Sequence, residues 1–203
     1  MRHTTKGEHT RQRILEAADS LIGRHGVTRV TLDDVRAEAK VSSSQIYHYF
    51  ADKRALISAV VDYQDTLSLG GDSMSGNFES VDGVRSWGRR LIEGQRESQD
   101  VGGCPIATVG AGLMDLDGDT IDQIARIFGR CESGIRAGYR IMYADKDTAP
   151  DADPDALATM TLATAIGGLV LTALNHDTQP LQVAMDALLG CLPAPSSKSL
   201  VTN

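Results

Sequence analysis

Aromatic residues are scarce in this chain, 4% of 203 positions, with a single tryptophan and three phenylalanines. Alternating β-branched runs are also rare, while alanine and leucine recur, so a sheet-built core is disfavoured and helices are expected. Cysteine is equally thin. Cys104, Cys131 and Cys191 are far apart, form no CxxC pair and have no paired histidines nearby. That pattern argues against a disulfide framework or a zinc site, and buried helical cysteine is the plainest reading. No metal or cofactor is expected. No apolar run approaches the 18 or so residues of a membrane span; the longest covers residues 163–174. The first residues, Met1-Arg2-His3-Thr4-Thr5-Lys6, lead into no apolar stretch, so a signal peptide is not expected. These absences point to a cytoplasmic protein without membrane partners. A nucleophile elbow, a glycine-rich phosphate loop and a metal triad are all missing from the sequence, and Cys104 beside Pro105 has no identifiable partner base, so an enzyme is not expected.

The net charge of −7 would by itself argue against a nucleic-acid binder, but the charge is unevenly placed. Residues 1–54 hold ten Lys/Arg against seven Asp/Glu and are net +3, which leaves −10 for the remainder. A basic head on an acidic body suits a protein that touches phosphate at one end only.

Hydrophobic spacing gives the layout. Ile14, Leu15, Ala18, Leu21 and Ile22 lie on one face of a helix expected over residues 10–25, with Gly26 as its stop. Thr31 is an N-cap followed by Asp33 and Asp34, opening a short helix that buries Leu32, Val35 and Ala39. Ser42, Ser43 and Ser44 cap another that runs to about Phe50, with Ile46 and Phe50 inward. A fourth helix over 53–69 buries Leu56, Ile57, Val60 and Val61, and links the head to the second domain. Residues 70–80 are rich in Gly, Ser and Asp and read as the boundary loop. Further helices are expected near 81–96, 105–113, 120–143, 154–175 and 181–192, with Asp153-Pro154 a good start signal. The division is 1–54 for the head, 70–192 for a second helical domain, and 193–203 for a disordered tail.

Two short helices joined by a tight turn, the second opening on small polar residues, describe a helix-turn-helix. The tip of its second helix approaches base edges in the major groove. Small residues let the backbone come close and polar ones then contact bases and phosphates; Ser43, Ser44, Gln45, Tyr47 and His48 meet that demand. With Ile46 and Phe50 inward, Ser44 and His48 point farthest out, flanked by Gln45, Tyr47 and Tyr49. Gln45 suits an adenine edge. The tyrosine hydroxyls, Lys53 and the helix start at Thr31 are expected at phosphates.

The run Thr31-Leu32-Asp33-Asp34-Val35, then Val41-Ser42-Ser43-Ser44-Gln45-Ile46-Tyr47-His48-Tyr49-Phe50-Ala51-Asp52-Lys53-Arg54-Ala55-Leu56, resembles the DNA-binding signature of the TetR family. Tyr47, Phe50, Lys53 and Leu56 fall at the spacing of its Tyr-x-x-Phe-x-x-Lys-x-x-Leu frame. The likeness is close over about 50 residues and otherwise rests on length and helical layout. It departs at Lys40, where such families usually carry glycine in a left-handed turn, and at Arg36, usually a small alanine. Gly102-Gly103-Cys104-Pro105 is similar to a Gly-Cys-Pro motif in an LmrA- and YxaF-like branch of the family.

The resemblance implies an all-α repressor: an N-terminal three-helix head on double-stranded operator DNA, then a helical domain that binds a small-molecule inducer. It also implies a homodimer through the last two long helices, 154–175 and 181–192. The residues agree, because the stretch 163–174 is apolar nearly all round and needs cover on every side. Two recognition helices one DNA turn apart require such a pair. Trp87, Met114, Phe128, Tyr139, Met142, Tyr143 and Met160 offer soft apolar surface with a few hydroxyls, and are the candidate ligand contacts. A thiol-sensing regulator using Cys104 or Cys131 is the alternative, and a helical enzyme a more distant one.

Overall fold

The computed structural model describes residues 5–68, 76–97, 105–113, 118–144 and 153–193. Among these residues nine α-helices and no strands form: α1 (Thr5–His25), α2 (Leu32–Glu38), α3 (Ser43–Tyr49), α4 (Lys53–Ser68), α5 (Val81–Glu97), α6 (Pro105–Leu113), α7 (Gly118–Met142), α8 (Pro154–Asn175) and α9 (Gln179–Gly190). The all-α expectation holds. Packing divides the chain into two units, Met1–Gly70 with Cys104–Ile127 and Gly71–Gly103 with Phe128–Asn203. The described residues 105–113 and 118–127, placed with the second domain by the linear division, cluster with the first unit. The tail expected over 193–203 lies outside the described residues from 194 onward, as do residues 69–75 of the boundary loop.

In the first unit α1 buries Ile14, Leu15, Ala18, Leu21 and Ile22, the stripe its spacing requires. It begins at Thr5 rather than residue 10, because its polar first turns carry no periodic signal yet are tied down by the Tyr49 hydroxyl, which donates to the Gly7 carbonyl at 3.0 Å. Gly26 ends the helix at φ +79°, a left-handed backbone that glycine adopts without strain, and its N–H reaches the Ile22 carbonyl. Val35 and Ala39 are buried at α2, while Leu32 at its start is half-buried. Leu56, Ile57, Val60 and Val61 of α4 are buried, and Ile106 and Val109 of α6 join the same core. Gln123 of α7 spans α4: it accepts from the Ser58 hydroxyl at 2.9 Å, and its amide donates to the Ser58 carbonyl and the Asp62 carboxylate. Between α1 and α4, the buried Gln64 donates to Asp19. Burial pushes the Asp19 carboxyl above its ordinary value, partly offset by that hydrogen bond.

The second unit is built on α8. Its buried face, Ala158, Thr161, Leu162, Ala165, Gly168, Leu169 and Thr172, follows the helical period and packs along α9. A Cβ at Gly168 would stand 2.7 Å from Leu181 Cδ1 and 3.0 Å from Leu181 Cα, so the absence of a side chain sets how closely the two helices approach. Asp153 caps α8, accepting from the N–H groups of Asp155 and Ala156, and Pro154 follows as expected. Arg140 of α7 grips Asp155 with two bonds of 3.0 and 2.8 Å, which holds that carboxyl below its ordinary value. Behind these helices Phe78 stands edge-on to both Trp87 of α5 and Tyr139 of α7, at centroid distances of 5.1 and 6.1 Å. Desolvation pushes the buried Tyr139 phenol up to about 12, and its hydroxyl meets Thr161 at 2.7 Å.

Two expectations need correction. The helix expected over 181–192 runs Gln179–Gly190, because Pro180 fits a first turn that needs no N–H. The apolar run over 163–174 is only part of α8, whose 22 residues carry a mean hydropathy of 1.8 in their most apolar window, long and apolar enough by length and composition to cross a membrane. Packing on α9 gives that helix an ordinary core role on one side.

Gly168→Ala is expected to lower stability by about 1–3 kcal/mol through overpacking against Leu181. Gly134→Ala, where an added Cβ meets nothing within 4 Å, is expected to raise it by up to about 1 kcal/mol through helix propensity. Urea titration of both variants checks the pair. Asp19→Asn is expected to raise the melting temperature at neutral pH. A carboxyl whose folded value is raised penalises the folded state once ionised, so the advantage fades as pH falls through the carboxylate range, where both states of the wild-type chain are protonated.

Candidate nucleic-acid interface

Both short helices of the head start on a reciprocal cap. At α2 the Thr31 hydroxyl accepts from the Asp34 N–H at 3.2 Å while the Thr31 N–H donates to the Asp34 carboxylate at 2.9 Å. The Thr31 hydroxyl and N–H hold that carboxyl below its ordinary value. At α3 the Ser42 hydroxyl accepts from the Gln45 N–H at 3.2 Å, and Gln45 Oε1 accepts from the Ser42 N–H at 2.9 Å. Between the helices the chain turns at Lys40, which adopts φ 53°, and the Val41 N–H returns to the Arg36 carbonyl at 3.2 Å. The left-handed turn that the resemblance assigns to this position is thus formed with lysine in it. Arg36 pairs with Asp33 at 3.1 Å.

Seven residues cannot sustain a helix by propensity alone, so α3 depends on the side that it buries. Ile46 is 1% and Phe50 3% exposed. The opposite side carries Ser43, Ser44, Gln45, Tyr47 and His48, all exposed, with Tyr47 at 57%. Ser44 and His48 are outward, as the wheel requires. Tyr49 differs from its neighbours: half-buried, with its hydroxyl on Gly7, it ties α3 to the first turns of α1. Lys53 Nζ donates to the Thr28 carbonyl at 2.9 Å, one bond of the three an ammonium can donate. Ser42, Gln45 and Thr31 likewise support the local fold while standing on the exposed surface. Arg11 sets its guanidinium 5.8 Å above the Phe50 ring. It comes from another helix and has no local signal in the α3 motif.

The candidate ligand residues do not gather at one place. Trp87 and Tyr139 are fully buried within the aromatic cluster around Phe78, a residue that spacing alone assigns to the boundary loop. Phe128, Met142 and Tyr143 are half-buried along α7, with Tyr143 edge-on to Tyr139 at 6.4 Å. Met160 lines a groove of about 340 Å³ between α8 and α9, together with Gly167, Leu171, Ala184 and Cys191. Met114 lies outside the described residues, as do Cys104 and its Gly-Cys-Pro neighbours Gly102 and Gly103. Cys131 is half-buried on α7 and Cys191 is exposed.

Ser42→Ala is expected to destabilise the chain by about 1 kcal/mol, since it removes the α3 cap. Tyr47→Ala is expected to stay within about 0.5 kcal/mol of wild type, because the ring is largely in solvent. Chemical denaturation of the two variants separates the supporting residue from the residue available to a partner.

Comparison with known proteins agrees with this geometry. Residues 14–60 match the family described as "Bacterial regulatory proteins, tetR family", and residues 82–188 match "Tetracyclin repressor-like, C-terminal domain". An uncharacterized HTH-type transcriptional regulator from Lactococcus lactis subsp. lactis is 22% identical over 187 residues, spanning 89% of this chain and 91% of that protein. The HTH-type transcriptional regulator TtgR of Pseudomonas putida is 34% identical over 89 residues, 43% of this chain and 41% of TtgR. Among solved structures, the regulatory protein TetR from Rhodobacter sphaeroides superposes with a TM-score of 0.79 at 21% identity, covering 88% of this chain and 96% of that one. A TetR transcriptional regulator from Chloroflexus aurantiacus J-10-FL gives 0.79 at 23% identity over 92% and 96%. With both of its parts matched, the chain belongs to the TetR family and is a transcriptional regulator with an N-terminal helix-turn-helix.

Proposed function

We propose that the chain is a homodimeric repressor that binds a palindromic operator and leaves it when a small apolar or aromatic molecule enters the second unit. The observation that carries this reading is the α3 surface, a polar, exposed tip on a helix pinned by Ile46 and Phe50. In this reading Ser43, Ser44, Gln45 and His48 meet base edges, supported by their exposure and by the Gln45 amide N–H groups that remain after its oxygen closes the cap. Tyr47, Lys53 and the helix starts at Thr31 and Ser42 serve phosphates. Tyr49 acts from behind, by orienting α3.

Dimerisation is supported by the uncovered side of α8 and α9. Val170, Leu171, Leu174 and Val183 are 38, 50, 70 and 59% exposed, and make up most of the exposed large hydrophobic side chains among the described residues. Ala163 and Gly167 extend the α8 stripe, and Ala187 and Cys191 extend that of α9, so the groove that holds Met160 lies on this seam. An apolar surface of this extent calls for a partner, and a second copy supplies an identical one under two-fold symmetry. Phe128, Met142 and Tyr143 are the ligand contacts left accessible on α7, with Trp87 and Tyr139 as a fixed aromatic wall. A ligand that favours a conformation with the two heads off one DNA turn releases the operator by shifting the population. The operator lies in the cytoplasm.

The double substitution Leu171→Glu, Leu174→Glu places charge on the seam without entering either unit's core. It is expected to yield monomers in analytical ultracentrifugation, with helical circular dichroism retained. Operator affinity should fall about a thousandfold or more, towards non-specific binding. A variant that stays dimeric on its operator contradicts the seam; a wild-type chain that shifts no duplex contradicts the whole reading.

A further inference from the structure

The turn between α2 and α3 contains a residue of the wrong kind for its backbone. Lys40 is held at φ 53°, where a Cβ crowds the following carbonyl and glycine or asparagine is relaxed. The strain is maintained from both sides: the Lys40 N–H bonds the Ala37 carbonyl at 3.2 Å, and the next N–H, of Val41, bonds Arg36. Val41, immediately after it, is buried. The fold thus requires the left-handed conformation but not the lysine. Strain of this sort, kept at a surface position, points to a role for the side chain.

The charges around it narrow that role. Arg24 is paired with Glu38 at 2.9 Å and Arg36 with Asp33 at 3.1 Å, and Lys53 is anchored on Thr28. Lys40 is exposed and its ammonium has no hydrogen-bond or ion-pair partner among the described residues. It stands three residues before Ser43, the first residue of α3. Three residues of chain reach at most about 10 Å. The major groove is about 12 Å wide, so a lysine that near to a tip seated in the groove falls beside one of its phosphate walls.

We propose that Lys40 is a DNA-backbone contact, one phosphate per protomer and two per dimer, and that the turn keeps a strained lysine in place of a relaxed glycine for the sake of that contact. The proposal rests on the operator-binding reading above. It adds to the interface a residue that lies outside both helices of the motif. It also implies a trade between stability and affinity at a single position.

The test uses the full-length dimer and a fluorescein-labelled 30-base-pair duplex selected from random sequence by the wild-type chain. Lys40→Gly is expected to raise the melting temperature by about 2–4 °C by relieving the turn. At 0.15 M salt each neutralised phosphate contributes about fivefold by counterion release, so losing two weakens binding about thirtyfold and flattens the slope of log K against log salt by about two. Lys40→Asn, which tolerates the left-handed backbone without the charge, should weaken binding equally, and Lys40→Arg should restore both affinity and slope. If Lys40→Gly and Lys40→Asn bind within twofold of wild type with an unchanged slope, the proposal is overturned while operator binding stands. Weakening by Lys40→Gly alone, with an unchanged slope, assigns Lys40 to turn geometry and also overturns it. A wild-type chain that enriches no sequence removes the reading on which the proposal rests.

Discussion

Two turns of helix have no stability of their own in water, because too few hydrogen bonds form to offset the residues that nucleation must order. The α3 helix exists because Ile46 and Phe50 are buried in the head, a contribution of about 1.5–3 kcal/mol each, and because Ser42 and Gln45 close its open end. The exposed polar face is a consequence of that burial. With one side fixed inward, the helical period leaves Ser43, Ser44, Tyr47 and His48 on the other, and the Tyr49–Gly7 bond resists rotation about the helix axis. The outward side makes little contribution to the fold, which leaves it available to a partner. In this arrangement the hydrophobic core positions the polar surface that is proposed to bind DNA.

The same reasoning governs α8 in the second unit, with a different outcome. Thr161, Ala165, Gly168 and Thr172 are matched to α9 and to the Tyr139 hydroxyl, so one side of the helix is settled within the chain. The other side is as apolar and remains uncovered, as the exposure of Leu171 and Leu174 shows. A helix with two apolar sides needs two neighbours. The length and hydropathy that would suit a membrane arise from this double demand, since packing on α9 settles half of it and a second protomer is the proposed cover for the rest.

Much of this is legible in the sequence because it depends on local spacing. The Ile14-to-Ile22 stripe, the Thr31 and Ser42 caps, the Tyr47–Phe50–Lys53–Leu56 frame and the Asp153-Pro154 start each lie within one element, and periodicity or capping chemistry reports them directly. The features that escape depend on contacts distant in the chain. A helical wheel gives Tyr49 a direction but cannot show that α1 passes there, so the wheel alone assigns to phosphate a hydroxyl that bonds Gly7. Phe78, among Gly, Asn and Ser residues, reads as loop and proves to be the ring shared by Trp87 and Tyr139. Trp87 and Tyr139, pocket candidates for their soft surface, are fully buried, which composition cannot report. The packing of the start of α7 in the first unit depends on pairings such as Gln123 with Ser58 and Asp62, which no spacing rule encodes.

In the proposed complex, two copies of one capped, core-pinned helix present themselves to successive major grooves. Enrichment of random duplex DNA on the purified chain, followed by sequencing, is the decisive experiment for this arrangement. The expected product is an inverted repeat whose half-site centres lie about one helical turn, 10–10.5 base pairs, or a multiple of it apart. Recovery of sequences with no shared half-site, or of a single unrepeated site, would rule this arrangement out.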